Sequence, residues 1–140
     1  MKRSASAVWK GGLKDGTGTV STQTGTLATV PYNFGMRFEN DPGTNPEELI
    51  AAAHASCFSM ALSLFLGNAG MTAESIETTA TVTLDQVDGG FSVTSSHLET
   101  TVRIPNADRA AFEQAAEGAK SGCPISKLLN ATITLKATLL

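Results

Sequence analysis

The most regular hydrophobic segment of the chain is residues 51–66, AAAHASCFSMALSLFL, in which twelve of the sixteen residues are apolar. At about 100° of rotation per residue, its three serines share one side of a helix, whereas His54 and Cys57 lie on the other side. This pattern predicts a core helix that is apolar nearly all round. The serine stripe allows another backbone to approach closely; its members are Ser56, Ser59 and Ser63.

Signals on both sides of this segment extend the predicted helix. Asn45 is a favourable N-cap, and Pro46 suits the first helical position. Glu47 and Glu48 then fall in the first turn, where the helix dipole favours carboxylates, and at least one of them is expected to have only that role. Gly70 is a suitable C-cap, so the helix is expected to stop near residues 68–70.

Before this helix, the pattern predicts short strands. Residues 4–9, 17–22 and 26–30 are expected to form an antiparallel meander, with a glycine-containing turn between the first two. Residues 31–38 have a β-like pattern of aromatic residues on one side, and Arg37 lies on the side opposite to them.

Beyond the helix, clean alternation over residues 76–87 predicts a half-exposed strand. The other predicted elements are a strand over 91–104 that follows a turn at 88–90, a helix over 107–121, a short helix opened by Cys123 and Pro124, and a strand over 132–139. The apolar phase of the second strand shifts between Val93 and Leu98, which predicts a bulge near residues 95–97. His97 is expected on the solvent side of that strand, without a functional role.

Composition limits the possible functions. At 140 residues the chain is long enough for one domain with its own core, and its formal net charge is −3 without a basic stripe. Nucleic acid is therefore not an expected partner. The N-terminus has no apolar run of a signal peptide, and residues 51–66 are judged too short and too polar to span a bilayer. We expect a cytoplasmic protein without a membrane partner.

The two cysteines, Cys57 and Cys123, are not expected to form a permanent disulfide in a reducing compartment. A metal site is disfavoured, because the two cysteines and the two distant histidines, His54 and His97, give no closely spaced ligand pair of the CxxC or HxxxH type. From the residues alone, two interpretations stay open. The cysteines are either inert core thiols or a redox pair.

Arg37 is the only basic residue between Lys14 and Arg103. Burial on an apolar helix face raises the pKa of Cys57, so this thiol is inert unless a cation lies nearby. Lowering the pKa by about three units requires about 4 kcal/mol, much of which one partly desolvated guanidinium can supply. Helix N-termini also activate thiols, so local physics alone favours Cys123 as the reactive cysteine.

Three segments, NPEELIAAAHASCFSMALS, MRFEN and SGCPISKLL, resemble the osmotically inducible protein C (OsmC) family and its relatives, the organic hydroperoxide resistance (Ohr) proteins. The resemblance covers nearly the whole chain. It implies one OsmC-like domain over residues 1–140 with an α+β fold, in which antiparallel sheets pack around a long central apolar helix. It also implies an intertwined homodimer whose active sites use elements of both subunits.

The activity implied by the resemblance is thiol-dependent reduction of organic hydroperoxides, and less efficiently of hydrogen peroxide, in oxidative and osmotic stress defence. Cys57 is then the peroxidatic cysteine that forms a sulfenic acid, and Cys123 is the resolving cysteine that condenses with it to a disulfide. Arg37 is the guanidinium that stabilises the thiolate and polarises the peroxide. Glu47 holds Arg37 in place, with Glu48 as the alternative.

No cofactor is required by this chemistry, and the family implies a lipoyl-type or comparable small dithiol as reductant. The arginine of the Ohr branch comes from the N-terminal glycine-rich turn, where this chain offers only Lys14. The position of Arg37 is that of the OsmC branch, so the chain resembles OsmC proper.

Two alternatives belong to other classes: a non-enzymatic protein that binds small apolar ligands, and a peroxide sensor that uses the same cysteines. His54, on the helix face of Cys57, is either a proton shuttle or a satisfied core histidine. We favour the core histidine, which predicts that His54→Asn leaves the peroxidase activity largely intact.

Overall fold

In the computed structural model, which describes residues 1–140, the chain divides into two units, residues 1–49 and residues 50–140. The prediction of one OsmC-like domain over the whole chain stays a prediction. The predicted α+β class is confirmed: each unit contains a three-stranded sheet, and the chain has four helices.

The sheet of the first unit is antiparallel in the order β1-β2-β3, as the predicted meander requires. Its strands are β1 Ala5–Lys10, β2 Thr17–Thr22 and β3 Val30–Asn33. Gly18 on β2 lies between Trp9 and Tyr32, and a Cβ at this position would come within 2.7 Å of both rings. Because glycine has no Cβ, the two rings approach to a centroid distance of 5.4 Å.

Two predictions in this unit are wrong. The strand expected over 26–30 begins only at Val30, since Thr29 has a positive φ of 57° that interrupts extended backbone. The β-like segment 31–38 is a strand only as far as Asn33, and helix α1 follows over Phe34–Phe38. Asn33 starts this helix, because its Oδ1 accepts a hydrogen bond from the backbone N–H of Met36 at 2.9 Å.

The long helix α2, Pro46–Asn68, has the predicted ends. Asn45 Oδ1 accepts a hydrogen bond from the backbone N–H of Glu48 at 2.8 Å, which confirms the N-cap. Gly70 follows the helix with a positive φ of 74°, and the N–H of Met71 closes the end on the carbonyl of Leu66.

Over its 23 residues α2 is also long and apolar enough to cross a membrane, by length and composition alone. On these two criteria the judgement that the segment is too short and too polar is wrong, because the flanking turns lengthen it. A helix in the core of a protein satisfies the same criteria, and α2 packs one face against the sheet of the second unit.

The second unit contains the sheet β4-β5-β6 and helices α3, Arg109–Gly122, and α4, Pro124–Leu128. Its strands are β4 Ser75–Val87, β5 Gly90–Arg103 and β6 Thr132–Leu139. Strands β4 and β5 are antiparallel, but β5 and β6 are parallel, so the expectation of antiparallel sheets is wrong for this pair. The chain passes through α3 and α4 between them, and such a crossover returns the next strand in the same direction. The predicted bulge occurs at Thr94, since Thr83 pairs with Ser95 and Leu84 pairs with Val93.

The core of this unit is formed by α2, α3 and the sheet. Helix α2 contributes one stripe at four-residue spacing, and α3 contributes Phe112 with three alanines; the α2 stripe is His54, Phe58, Leu62 and Leu66. The opposite face of α2 is open in the chain, with Met60 77% and Leu64 63% exposed. The chain by itself therefore does not bury α2 all round.

Candidate active site

The two cysteines meet in the second unit. The Cys123 thiol donates a hydrogen bond to the Cys57 sulfur, and the two Sγ atoms are 2.8 Å apart. Both residues are free thiols; Cys123 is completely buried and Cys57 is half-buried. The structure thus brings together the two residues that the resemblance assigns to the redox pair.

Cys123 reaches this position because it ends one helix and begins the next. Its backbone N–H bonds the carbonyl of Ala119 in α3, and its carbonyl accepts from Lys127 in α4. Pro124 disfavours helical backbone at the residue before it, and Cys123 is extended, with φ −57° and ψ 125°. The chain therefore turns at Cys123, and the thiol, which makes no capping hydrogen bond, faces Cys57.

The second unit does not activate Cys57 by itself. Burial raises the pKa of the Cys57 thiol, and the neighbouring Cys123 raises it further. The backbone N–H of Ile125, in the first turn of α4, bonds the sulfur and lowers the pKa. No cationic side chain of residues 50–140 contacts the sulfur, so the thiolate needs a further source of stabilisation.

His54 is the satisfied core histidine that the sequence favours. It is completely buried, its Nδ1 is 2.7 Å from Ser96 Oγ on β5, and its Nε2 is 2.8 Å from Ser126 Oγ on α4. Burial lowers the pKa of this imidazole, which favours the neutral ring. Sequence reasoning missed both serines, because they are 42 and 72 positions away along the chain.

His97, for which no role is expected, is half-buried on β5. Its Nδ1 is hydrogen-bonded to Thr134 Oγ1 on the parallel neighbour β6. No group of three or more histidine, cysteine, aspartate or glutamate side chains is arranged to hold a metal ion.

In the first unit, Arg37 and Glu47 form a two-pronged ion pair. Arg37 Nη2 donates to Glu47 Oε1 at 2.8 Å, and Arg37 Nε donates to Oε2 at 3.2 Å. Glu48, the alternative partner, is bonded instead to the cap residue Asn45. The two parallel bonds fix the plane of the guanidinium, while its remaining N–H groups are available to other acceptors.

Arg37 also borders an aromatic cavity of about 260 Å³ in the first unit. The guanidinium lies 5.2 Å from the ring centroid of Phe38, and the Phe38 ring is tilted by 40° against that of Phe34 at a centroid distance of 4.8 Å. Trp9 and Tyr32 complete the aromatic lining. The cavity therefore offers apolar surface with one fixed cation at its margin.

Two paired thiols lie on an α+β fold, and elsewhere in the chain a carboxylate fixes an arginine. Together with the proteins that the chain matches, these features identify a thiol-dependent peroxidase. Residues 38–138 match the family model of the OsmC-like proteins. The chain belongs to the OsmC-like protein family.

Individual relatives agree with this assignment. The chain is 54% identical to peroxiredoxin OsmC of Escherichia coli over 135 residues, which are 96% of this chain and 94% of the relative. It is 34% identical to an organic hydroperoxide resistance protein-like protein of Staphylococcus epidermidis, over 79% of this chain and 75% of the relative. The crystal structure of an organic hydroperoxide resistance protein from Elizabethkingia anophelis superposes with a TM-score of 0.72 at 28% identity, covering 100% of this chain and 99% of the other. The higher identity to the OsmC relative agrees with the branch predicted from the position of Arg37.

Proposed function

We propose that the protein reduces organic hydroperoxides to alcohols in two steps, through a sulfenic acid at Cys57 and a disulfide between Cys57 and Cys123. The observation that carries the proposal is the separation of 2.8 Å between the two sulfurs within one chain. Two inert core cysteines have no need of such contact, whereas a resolving thiol must lie next to the sulfur that it attacks.

In the first step the Cys57 thiolate attacks one oxygen of the O–O bond. That bond breaks, the sulfur becomes a sulfenic acid, and the alkoxide leaves and takes up a proton to give the alcohol. In the second step the Cys123 sulfur displaces the hydroxyl of the sulfenic acid as water, and the disulfide forms. The sulfurs must move less than 1 Å closer to reach the ordinary S–S length of about 2.05 Å.

Arg37 supplies the cation that Cys57 lacks in its own unit. A guanidinium next to the thiolate lowers its pKa, and the same charge stabilises the departing alkoxide. Glu47 has the role of a positioning residue, because its two hydrogen bonds hold Arg37 in one orientation.

The functional form in this proposal is a homodimer with active sites built from both subunits. The support is the open face of α2, where Met60 and Leu64 lie exposed on a helix whose other face is core. A second copy that covers this face would remove both side chains from water. This burial would stabilise the dimer by about 25 cal/mol per Å² of apolar area.

The aromatic cavity beside Arg37 favours an organic substrate. An alkyl or aryl tail gains free energy by leaving water for apolar walls, and hydrogen peroxide has no such tail. A dithiol of the lipoyl type reopens the disulfide by thiol exchange, without a cofactor. The cytosol is the proposed compartment, because its reducing conditions keep both cysteines available as thiols.

The decisive experiment treats the reduced protein with one equivalent of cumene hydroperoxide and locates the product by intact mass and peptide mapping. The expected product is a chain two daltons lighter, with a disulfide between Cys57 and Cys123. Cys123→Ser should accumulate oxidised Cys57, and Cys57→Ser should not react. A wild-type chain that stays reduced would instead support the apolar-ligand-binding alternative, and turnover with a recycling dithiol separates an enzyme from a one-shot sensor.

A further inference from the structure

Two pairs of side chains face each other between α2 and α4. His54 and Cys57 are three residues apart on α2, and Cys123 and Ser126 are three residues apart at the start of α4, so the members of each helix share a face. Across the gap, Cys57 meets Cys123 and His54 meets Ser126, each at 2.8 Å. The histidine-serine contact therefore lies one helical turn from the two thiols.

We propose that His54 and Ser126 are positioning residues, whose hydrogen bond holds α4 against α2 so that Cys123 stays in contact with the Cys57 sulfur throughout the redox cycle. The inference rests on the proposed function, since it takes Cys57 and Cys123 as the reacting pair. It adds two residues to those that the resemblance assigns to the site.

The first argument is the weakness of α4 as an element. It has five residues, too few for a helix to be stable by itself. One of the polar contacts that join it to α2 runs from the Cys123 thiol, at its N-cap, to the Cys57 sulfur. This contact changes when that sulfur gains an oxygen or forms a disulfide. The contact between Ser126 and His54 involves neither sulfur, so it persists in every redox state.

The second argument is the rigidity of His54. Its ring is completely buried, and its other nitrogen is bonded to Ser96, which is completely buried on the central strand of the sheet. The imidazole is thus fixed from the sheet side and presents Nε2 to Ser126 in one orientation. The serine-histidine-serine chain therefore links β5, through α2, to the helix that carries the resolving thiol.

His54 acts through α4 and not on the reacting atoms. Both ring nitrogens are occupied by hydroxyl groups, and neither is bonded to a sulfur. This excludes His54 from the proton transfers of the reduced state as the structure shows it. The expectation that His54→Asn leaves activity largely intact changes accordingly, because the step that needs Cys123 should now slow.

The test measures the stability of the disulfide in peroxide-free buffers of oxidised and reduced dithiothreitol, with the disulfide fraction read by mass spectrometry after alkylation. Ser126→Ala removes the hydroxyl, and His54→Asn is too short to reach Ser126 while it keeps a partner for Ser96. Without this bond, α4 is free to move in the reduced chain but is still held by the disulfide in the oxidised chain, so forming the disulfide has to order α4 again. In each variant we therefore expect the equilibrium constant for disulfide formation to fall about five-fold, which converts to about 20 mV towards a less negative potential. The double variant should show no further fall, because both substitutions remove the same bond.

Ser59→Ala is the matched control. Ser59 also lies on α2, and its hydroxyl donates to Thr78 on β4 at 2.9 Å, so the variant loses a similar hydrogen bond to the sheet but none to α4. Its thermal stability should fall as in Ser126→Ala, but its disulfide potential should equal that of the wild type. An unchanged potential in Ser126→Ala, an equal shift in Ser59→Ala, or additive effects in the double variant would overturn the proposal.

The outcome is separable from that of the proposed function, because no peroxide is present. A wild-type chain that forms the disulfide in the dithiol buffer but reduces no hydroperoxide contradicts the proposed function and leaves the comparison of potentials valid. A wild-type chain that forms no disulfide under any ratio of oxidised to reduced dithiol contradicts both.

Discussion

The Sγ atoms of Cys57 and Cys123 are 2.8 Å apart, although 66 positions of sequence separate the two residues. One thiol projects from the middle of a long helix, and the other lies at the turn between two shorter ones. A sulfenic acid formed at Cys57 thus has its reaction partner in contact, so condensation is intramolecular and competes well with a second peroxide molecule.

The first prediction concerns the cation. Arg37→Ala should raise the pKa of the Cys57 thiol and slow its reaction with cumene hydroperoxide at pH 7. Each increase of one unit in the pKa lowers the thiolate fraction about tenfold. Arg37→Lys should restore only part of the rate, because an ammonium cannot form the two parallel bonds to Glu47. The pH dependence of the rate in stopped-flow measurements gives the pKa directly.

The matched control is a pair of neighbouring glutamates. Glu47→Gln weakens the bonds that orient Arg37, whereas Glu48→Gln changes a residue bonded to Asn45. The first variant should shift the pH profile and the second should not. Equal profiles for the two variants would contradict the positioning role of Glu47.

A second prediction concerns the open face of α2. We expect the wild-type chain to sediment as a dimer at micromolar concentration and Leu64→Glu to sediment as a monomer, because the new charge would be buried without a partner. Val87→Glu is the control: Val87 is also exposed, at 43%, but lies at the end of the β4 strand. A folded wild-type monomer at this concentration would count against the shared active site.

Local signals explain what the sequence predicts well. Asn45 caps α2 with its own side chain, and the alternation over 76–87 reflects one half-buried strand, so neither feature depends on distant residues. The helix after Asn33 has an equally local cause, yet the hydrophobic pattern does not predict it. Its aromatic residues follow the pattern of an extended strand. The capping hydrogen bond from the Met36 N–H to Asn33 outweighs their preference for strands.

Long-range pairing explains what the sequence does not predict. The parallel alignment of β6 with β5 depends on how α3 and α4 cross the sheet, which alternation does not encode. The partners of His54 are likewise invisible, because serines at 96 and 126 become neighbours only after folding. For Cys57 and Cys123 the resemblance to a family supplied the pairing that the residues alone left open.

A third prediction uses two glycines with opposite surroundings. Gly18→Ala should destabilise the chain by about 1–3 kcal/mol, because a methyl group there overlaps the rings of Trp9 and Tyr32. Gly67→Ala, near the end of α2, meets nothing within 4 Å and should stabilise the helix by up to about 1 kcal/mol. Urea unfolding of both variants against the wild type measures the difference. Equal effects would mean that the two rings do not enclose Gly18.

The last prediction is the pH dependence of stability caused by His54. Burial lowers its pKa in the folded chain below the ordinary value of 6.5, so below pH 6.5 the unfolded chain binds a proton that the folded chain resists. Stability should therefore be unaffected by this residue above pH 6.5, and should fall as the pH decreases from 6.5 towards the folded pKa. The slope for one such group is at most about 1.4 kcal/mol per pH unit. Urea unfolding at pH 7.5, 6.5 and 5.5 measures it.

His54→Asn provides the comparison, because asparagine does not titrate in this range. The variant should be less stable than the wild type at pH 7.5, where it lacks the bond to Ser126, but its stability should decline less between pH 6.5 and 5.5. The two stability curves should therefore converge as the pH falls. Parallel curves would mean that His54 takes up its proton as readily in the folded chain as in the unfolded one. The imidazole would then accommodate a positive charge between Ser96 and Ser126, and burial would not keep the ring neutral.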